Sequence, residues 1–222
     1  MNRAWRTVFI ALLTAGVVGS AAWLVFVSPV LGVREVRVVG NLDVSAGQIR
    51  QATGVADGKP LATVDAAEIE DRVARIRRIE SVRVSRGWPG TLMIEVVERT
   101  PVAVLPVGGT FALVDRHGVV IEIKGVVPPA LPVLRLDRPG PGDPATAAAL
   151  AVVGALPEEL SSRVAEVHAP SAETVSLRLR DGRSVVWGGS DRAADKARVL
   201  VTLLKRPADT YDVSSPDVVT VK

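Results

Sequence analysis

Residues 79–98 read IESVRVSRGWPGTLMIEVVE, two alternating runs around a Gly-Trp-Pro-Gly turn. In residues 81–86, Val82 and Val84 share one face. In residues 91–98, Leu92, Ile94 and Val96 alternate against Met93, Glu95 and Val97. Period-two alternation of β-branched residues, bounded by glycine and proline, predicts two strands and a tight connection. One face of that hairpin is apolar and needs a cover.

The preceding residues supply it. Asp65 and Glu68 cap a helix whose apolar positions Ala66, Ile69, Val73 and Ile76 step by three and four. Its acids (Asp65, Glu68, Glu70, Asp71) lie in the first half and its arginines (Arg72, Arg75, Arg77, Arg78) in the second. That order suits the helix dipole, which explains the arginine run more simply than a phosphate site does. A shorter helix opens with the capping box of Ser45 and Gln48, carries Ile49 and Ala52 on one face and stops at Gly54. Before it, residues 33–39 read as a strand closed by Gly40 and Asn41. The order strand, helix, helix, strand, strand predicts a small mixed sheet with both helices on one face.

Further outward, residues 8–27 (VFIALLTAGVVGSAAWLVFV) carry no charge, and Arg3, Arg6 and Arg34 flank them. A helix of that length spans roughly 30 Å, the thickness of a bilayer's hydrocarbon core. Arg3 and Arg6 on the short flank predict a cytoplasmic N-terminus. A cleaved signal peptide has a similar charged start, but here Ser20-Ala21-Ala22 lies inside the apolar run and bulky Trp23, Leu24 and Phe26 follow, so an uncleaved anchor is the expectation. Ser28-Pro29 ends the helix.

At this point the chain resembles a known family. Residues 38–41 (VVGN) after the first strand, with residues 79–92, look like a POTRA domain (polypeptide-transport-associated). The continuation at residues 94–103 (IEVVERTPVA), behind a single anchor, is similar to the FtsQ/DivIB family of bacterial division proteins.

Beyond a soft boundary at Pro101, residues 102–105, 111–114 and 119–123 read as short strands joined by Gly108-Gly109 and by the Asp115 to Gly118 turn. The Leu113-Val114-Asp115 and Gly118-Val119-Val120 pattern also resembles that family, where such a hairpin opens a β-rich second domain. A strand at 133–136 precedes a Pro/Gly-rich loop over 138–143, and Asp143 with Pro144 begins an alanine-rich helix to Leu156. Residues 164–168, 174–180 and 184–187 are strands, the last two joined through Asp181-Gly182. Ser190 or Asp191 is the expected cap of a helix through Leu204, with Ala193, Ala197, Leu200 and Leu204 on one stripe. Strands at 211–214 and 218–221 close the chain.

The sequence holds 222 residues and no cysteine, which excludes disulfides, thiolate metal sites and cysteine nucleophiles. Its formal charge is +3, and Arg3 and Arg6 supply two of those charges, so the outer part is close to neutral and gives no argument for nucleic-acid binding. The two histidines, His117 and His168, lack helical metal-ligand spacing and read as turn and strand-end residues. No nucleophile elbow or phosphate loop occurs, and Asp115, Glu122, Glu158 and Glu159 read as surface carboxylates. No enzyme, cofactor, metal site or small-molecule substrate is expected.

Resources for binding are visible instead. Val218, Val219, Thr220 and Val221 form a β-branched run without charge before Lys222. An uncharged edge strand offers unpaired backbone groups to a second chain. Trp187, at a strand end before Gly188-Gly189, and Tyr211 are candidates to border that edge, and Arg192 and Lys196 to frame it. The resemblance implies a partner strand from an FtsB-like chain near the end of the β-domain, with FtsL-like and other division proteins beside it.

The expected class is α+β. Residues 1–7 form a short cytoplasmic tail, 8–30 a transmembrane helix, 31–100 a POTRA domain (β-α-α-β-β) and 101–222 a mixed β-sheet domain with flanking helices. The resemblance implies a non-catalytic, single-pass (type II) scaffold at the division septum that coordinates peptidoglycan synthesis. A POTRA-bearing export or envelope-assembly factor is the alternative, although such proteins usually carry several POTRA units or a barrel.

Overall fold

The computed structural model describes residues 3–140, 142–215, 217 and 220–221. The chain divides into two compact units, Met1–Glu98 and Arg99–Lys222.

The first unit begins with α1 (Arg3–Phe26). Its stretch Trp5–Phe26 is long and apolar enough to cross a membrane, and none of its most apolar window is buried by the rest of the protein. In lipid each polar group must be satisfied within the helix, and the hydroxyls comply. Thr14 donates to the Ile10 carbonyl and Ser20 to the Gly16 carbonyl, both at 2.8 Å. Trp5 and Trp23 stand roughly 27 Å apart along the axis, a spacing that suits indole rings at the two faces of a bilayer.

A 3-10 turn at Pro29–Leu31 follows, then β1 (Glu35–Val39), α2 (Ala46–Thr53), a second 3-10 turn at Leu61–Thr63, α3 (Ala66–Ala74), β2 (Ile79–Gly87) and β3 (Thr91–Glu98). The expected helix caps form: Ser45 accepts from the Gln48 amide at 3.2 Å and Asp65 from the Glu68 amide at 3.2 Å. The sheet order is β1-β3-β2, with β1 parallel and β2 antiparallel to the central β3. Pairing aligns Val38, Ile94 and Val84 across the three strands, and this row packs on Ile49 of α2 and on Ile69 and Val73 of α3. Arg86 closes one margin of that core by donating to the Leu61 and Val64 carbonyls at 3.1 and 2.7 Å. Trp88 is half exposed in the turn between β2 and β3.

Glu98 holds the loop after β1. Its carboxylate accepts from the amides of Leu42, Asp43 and Val44 at 2.7, 3.1 and 3.0 Å. Burial pushes this carboxyl up, but the three amides and nearby Arg78 outweigh it and hold it below the usual range. Glu98→Ala is expected to cost about 1–2 kcal/mol in urea unfolding of the chain, with faster amide exchange confined to residues 42–44.

The second unit contains β4 (Ala103–Val107), β5 (Thr110–Val114), β6 (Val120–Lys124), β7 (Val133–Arg135), α4 (Pro144–Ala155), α5 (Glu158–Ser161), β8 (Val164–His168), β9 (Val175–Leu179), β10 (Ser184–Gly188), α6 (Ala193–Leu203), β11 (Thr210–Asp212) and β12 (Thr220–Val221). One nine-stranded sheet runs β12-β11-β10-β9-β8-β7-β4-β5-β6. The β4-β7, β7-β8 and β10-β11 pairs are parallel and the others antiparallel. Registered positions Leu134, Val167, Leu177, Val185 and Tyr211 form a buried row across five strands. That row belongs to one core with Ala149 and Val152 of α4 and with Ala197 and Leu200 of α6. Alternation along each strand sends the intervening residues to the opposite face.

Candidate functional site

The C-terminal end of the large sheet carries the feature with the clearest binding chemistry. Strand β10 is flanked by β9 on one side and by β11 on the other, and β11 is flanked by β12. The β11-β12 ladder pairs Tyr211 with Val221 and Asp212 with Thr220. Among the described residues nothing pairs with the outer side of β12, so its backbone is available to another strand. Val218 and Val219, half of the expected edge, lie outside the described residues.

Three of the residues expected to face a partner do not. Trp187, Tyr211 and Lys196 are fully buried. Trp187 and Tyr211 occupy inward positions of β10 and β11, where their bulk fills the core beneath the edge. The Tyr211 hydroxyl donates to the Arg206 carbonyl at 2.6 Å and accepts from Arg183 at 2.8 Å, and that guanidinium also lies over the ring, 5.5 Å from its centroid. These residues shape the edge from below, so a contact role for them is corrected to a supporting one.

Lys196 is the less expected case, because a lysine ammonium is buried only when it is paired. Its Nζ donates to the Gly189 carbonyl at 2.9 Å and to the Asp191 carboxylate at 3.2 Å. The bend is built around small residues. Gly188 has φ +79°, and a Cβ there would stand 3.0 Å from the Ser214 side chain. A Cβ on Gly189 would stand 2.8 Å from the Asp191 carboxylate.

The start of α6 also differs from expectation. Neither Ser190 nor Asp191 caps it; Arg192 occupies the cap position with φ 49° and no side-chain cap bond. The Asp191 carboxylate is held by Lys196 instead. The Arg192 guanidinium reaches the segment before β12, donating to both oxygens of Asp217 at 2.7 and 3.0 Å. That bidentate contact holds the Asp217 carboxyl below the usual carboxylate range.

Other candidate residues are dispersed. His168 is exposed at the end of β8. A shallow polar groove on the outer sheet face gathers Arg135, Glu166, His168 and Arg178, with Arg135 and Glu166 paired at 3.2 Å. Asp115 is not a surface carboxylate: it is buried against Arg99 and accepts from the His117 and Val119 amides, both at 2.8 Å. Among the described residues no three His, Asp or Glu side chains converge as a metal site would require.

Comparison with known proteins places these units. Residues 31–99 match the POTRA domain, FtsQ-type, and residues 103–218 match the cell division protein FtsQ/DivIB, C-terminal domain. The chain belongs to the FtsQ/DivIB family. Cell division protein FtsQ of Mycolicibacterium smegmatis is 46% identical over 199 residues, covering 90% of this chain and 60% of that one. FtsQ of Mycobacterium tuberculosis H37Rv is 43% identical over 214 residues, covering 96% and 68%. FtsQ of Streptomyces bingchenggensis is 36% identical over 222 residues, covering 95% and 84%. The chain therefore spans about three fifths of the length of the Mycolicibacterium relative. Among solved structures, the major extracytoplasmic domain of the trans isomer of DivIB from Geobacillus stearothermophilus matches with TM-score 0.36 and 24% identity, covering 46% of this chain and 87% of that one. The chain thus combines an α+β fold, an FtsQ-type POTRA unit and one helix long and apolar enough to cross a membrane.

Proposed function

We propose that this FtsQ/DivIB-family chain is a non-catalytic, single-pass scaffold that receives a strand from an FtsB-type partner at its C-terminal edge. An FtsL-type chain joins the same assembly, and the assembly as a whole restrains or licenses septal peptidoglycan synthesis. The observation that carries the reading is the position of β12 at the end of the nine-stranded sheet, with no strand on its outer side among the described residues. Strand addition needs backbone donors and acceptors in an extended row and a rigid sheet behind them. The buried Trp187, Tyr211 and Val213 beneath β10 and β11 supply the rigidity. Arg3 and Arg6 favour a cytoplasmic N-terminus, which puts both folded units on the outer side of the membrane.

Deletion of residues 218–222 is expected to abolish co-purification of the FtsB-type partner while the C-terminal unit keeps its cooperative melting. Full retention of the partner by a folded, truncated chain sinks the strand-addition reading. A fluorescent fusion is expected at mid-cell during growth, whereas uniform envelope signal favours an export factor.

A further inference from the structure

Among the described residues the ladder that holds β12 joins Tyr211 to Val221 and Asp212 to Thr220. The chain leading into it is tied at two points. Asp212 accepts from the amide and hydroxyl of Ser214 at 2.9 and 2.7 Å, closing the turn after β11. Asp217 is then gripped by both terminal nitrogens of Arg192.

Arg192 is an unusual residue to find there. A side chain other than glycine at φ 49° carries a conformational cost that persists only where the surroundings fix it. Two contacts do so. Lys196 ties down the preceding residues through Gly189 and Asp191, and Asp217 holds the far end of the side chain. Asp195 lies 3.7 Å from the Arg192 Nε and adds a second carboxylate on the α6 side. Both Nη atoms of Arg192 thus donate to the same carboxylate.

We propose that Arg192 is a positioning residue for the docking edge: its bidentate grip on Asp217, braced by the buried Lys196, sets the path of the chain into β12 and so the register in which a partner strand is received. The proposal rests on the strand-addition reading. It assigns the pair a role in preparing the edge, not in contacting what binds there. The partner class is an extended polypeptide segment, because what is held in place is backbone. Both side chains of the pair are substantially exposed, 48% and 70%, so the effect is moderate and sensitive to salt.

The test uses the full chain in detergent micelles, with amide exchange at Thr220 and Val221 and affinity for the FtsB-type chain as readouts. Arg192→Gly accepts the left-handed backbone without strain, so it removes the grip and leaves the fold intact. Asp217→Asn removes the charge at the other end. Each is expected to speed exchange at Thr220 and Val221 and to weaken the partner's Kd, both by about threefold to fivefold, without moving the thermal midpoint. The reversed pair, Arg192→Asp with Asp217→Arg, is expected to restore both within about twofold, since aspartate tolerates the left-handed region. Unchanged exchange in both single variants overturns the proposal. So does a reversed pair as weak as the singles, which makes Arg192 a partner contact. If exchange follows the expected pattern but deletion of residues 218–222 leaves the partner bound, the positioning role stands and the strand-addition reading fails.

Discussion

Trp187→Ala is expected to destabilise the C-terminal unit by about 3–5 kcal/mol, read as a lowered urea midpoint with the first unit unaffected. Trp187 is the largest fully buried side chain, set at the end of β10 where the ladder with β9 shifts register between Val186 and Gly188. Removing the indole opens a cavity in the core of the C-terminal unit that the neighbouring side chains fill only in part. The loss is a large fraction of the stability an ordinary domain has, so the partner is expected to be lost with the fold at growth temperature. Trp187→Phe separates packing from polarity. The indole N–H is buried without an acceptor among the described residues, so phenylalanine removes an unsatisfied donor as well as some volume. Its cost should fall to about 1–2 kcal/mol. A Phe variant as unstable as the Ala variant means that the N–H has a partner, such as an ordered water, that matters to the fold.

That indole also marks how far the sequence could be read. The two periodicities that reveal helices and strands are local, and local signals located the elements well: the 91–98 and 164–168 strands coincide with β3 and β8, and Asp143 caps α4 by accepting from the Thr146 amide at 2.7 Å. The three-residue β7 was legible as a strand, but its place between β4 and β8, parallel to both, was not. Sheet order is decided by contacts between residues far apart in the chain, and no local pattern encodes it.

At the candidate site the residue types were visible and their roles were inverted. Aromatic residues and cations near a sheet edge suggest a binding rim, yet Trp187 and Tyr211 had the alternation of inward positions on their strands. Lys196 lies three residues after Ala193 and four before Leu200, on the apolar stripe of α6 itself. Its burial was therefore readable from spacing, and only its charge argued against it. The left-handed backbone at Arg192 had no such signal, because arginine rarely adopts it and the Asp217 contact that fixes it is non-local.

Asp115 shows the same inversion at the start of the second unit, and its replacement has the other large expected effect. Asp115→Ala should destabilise the C-terminal unit by about 2–4 kcal/mol, because it strands the largely buried Arg99 guanidinium, 18% exposed, and takes the acceptor from two turn amides. The cost is raised because the Arg99 Nε already lacks a partner among the described residues. Burial pushes the Asp115 carboxyl up, but the Val119 amide, the Arg99 guanidinium and the His117 amide outweigh it and hold it below the ordinary aspartate range. A carboxyl depressed in the folded state contributes stability that is complete above its unfolded pKa and lost as pH falls through the folded value, because the unfolded chain then binds the proton first. The wild-type chain should therefore lose stability below about pH 4, near the ordinary aspartate pKa. Glu98 and other depressed carboxyls contribute to that loss, so the difference from Asp115→Asn isolates this residue. Asparagine keeps an acceptor for the two amides and cannot titrate, so the gap between the two chains should be widest near neutral pH and narrow as acid is added. Urea midpoints measured from pH 7 down to pH 3 decide it: a gap that stays constant, or widens in acid, means that the Asp115 carboxylate is not what holds Arg99 in place.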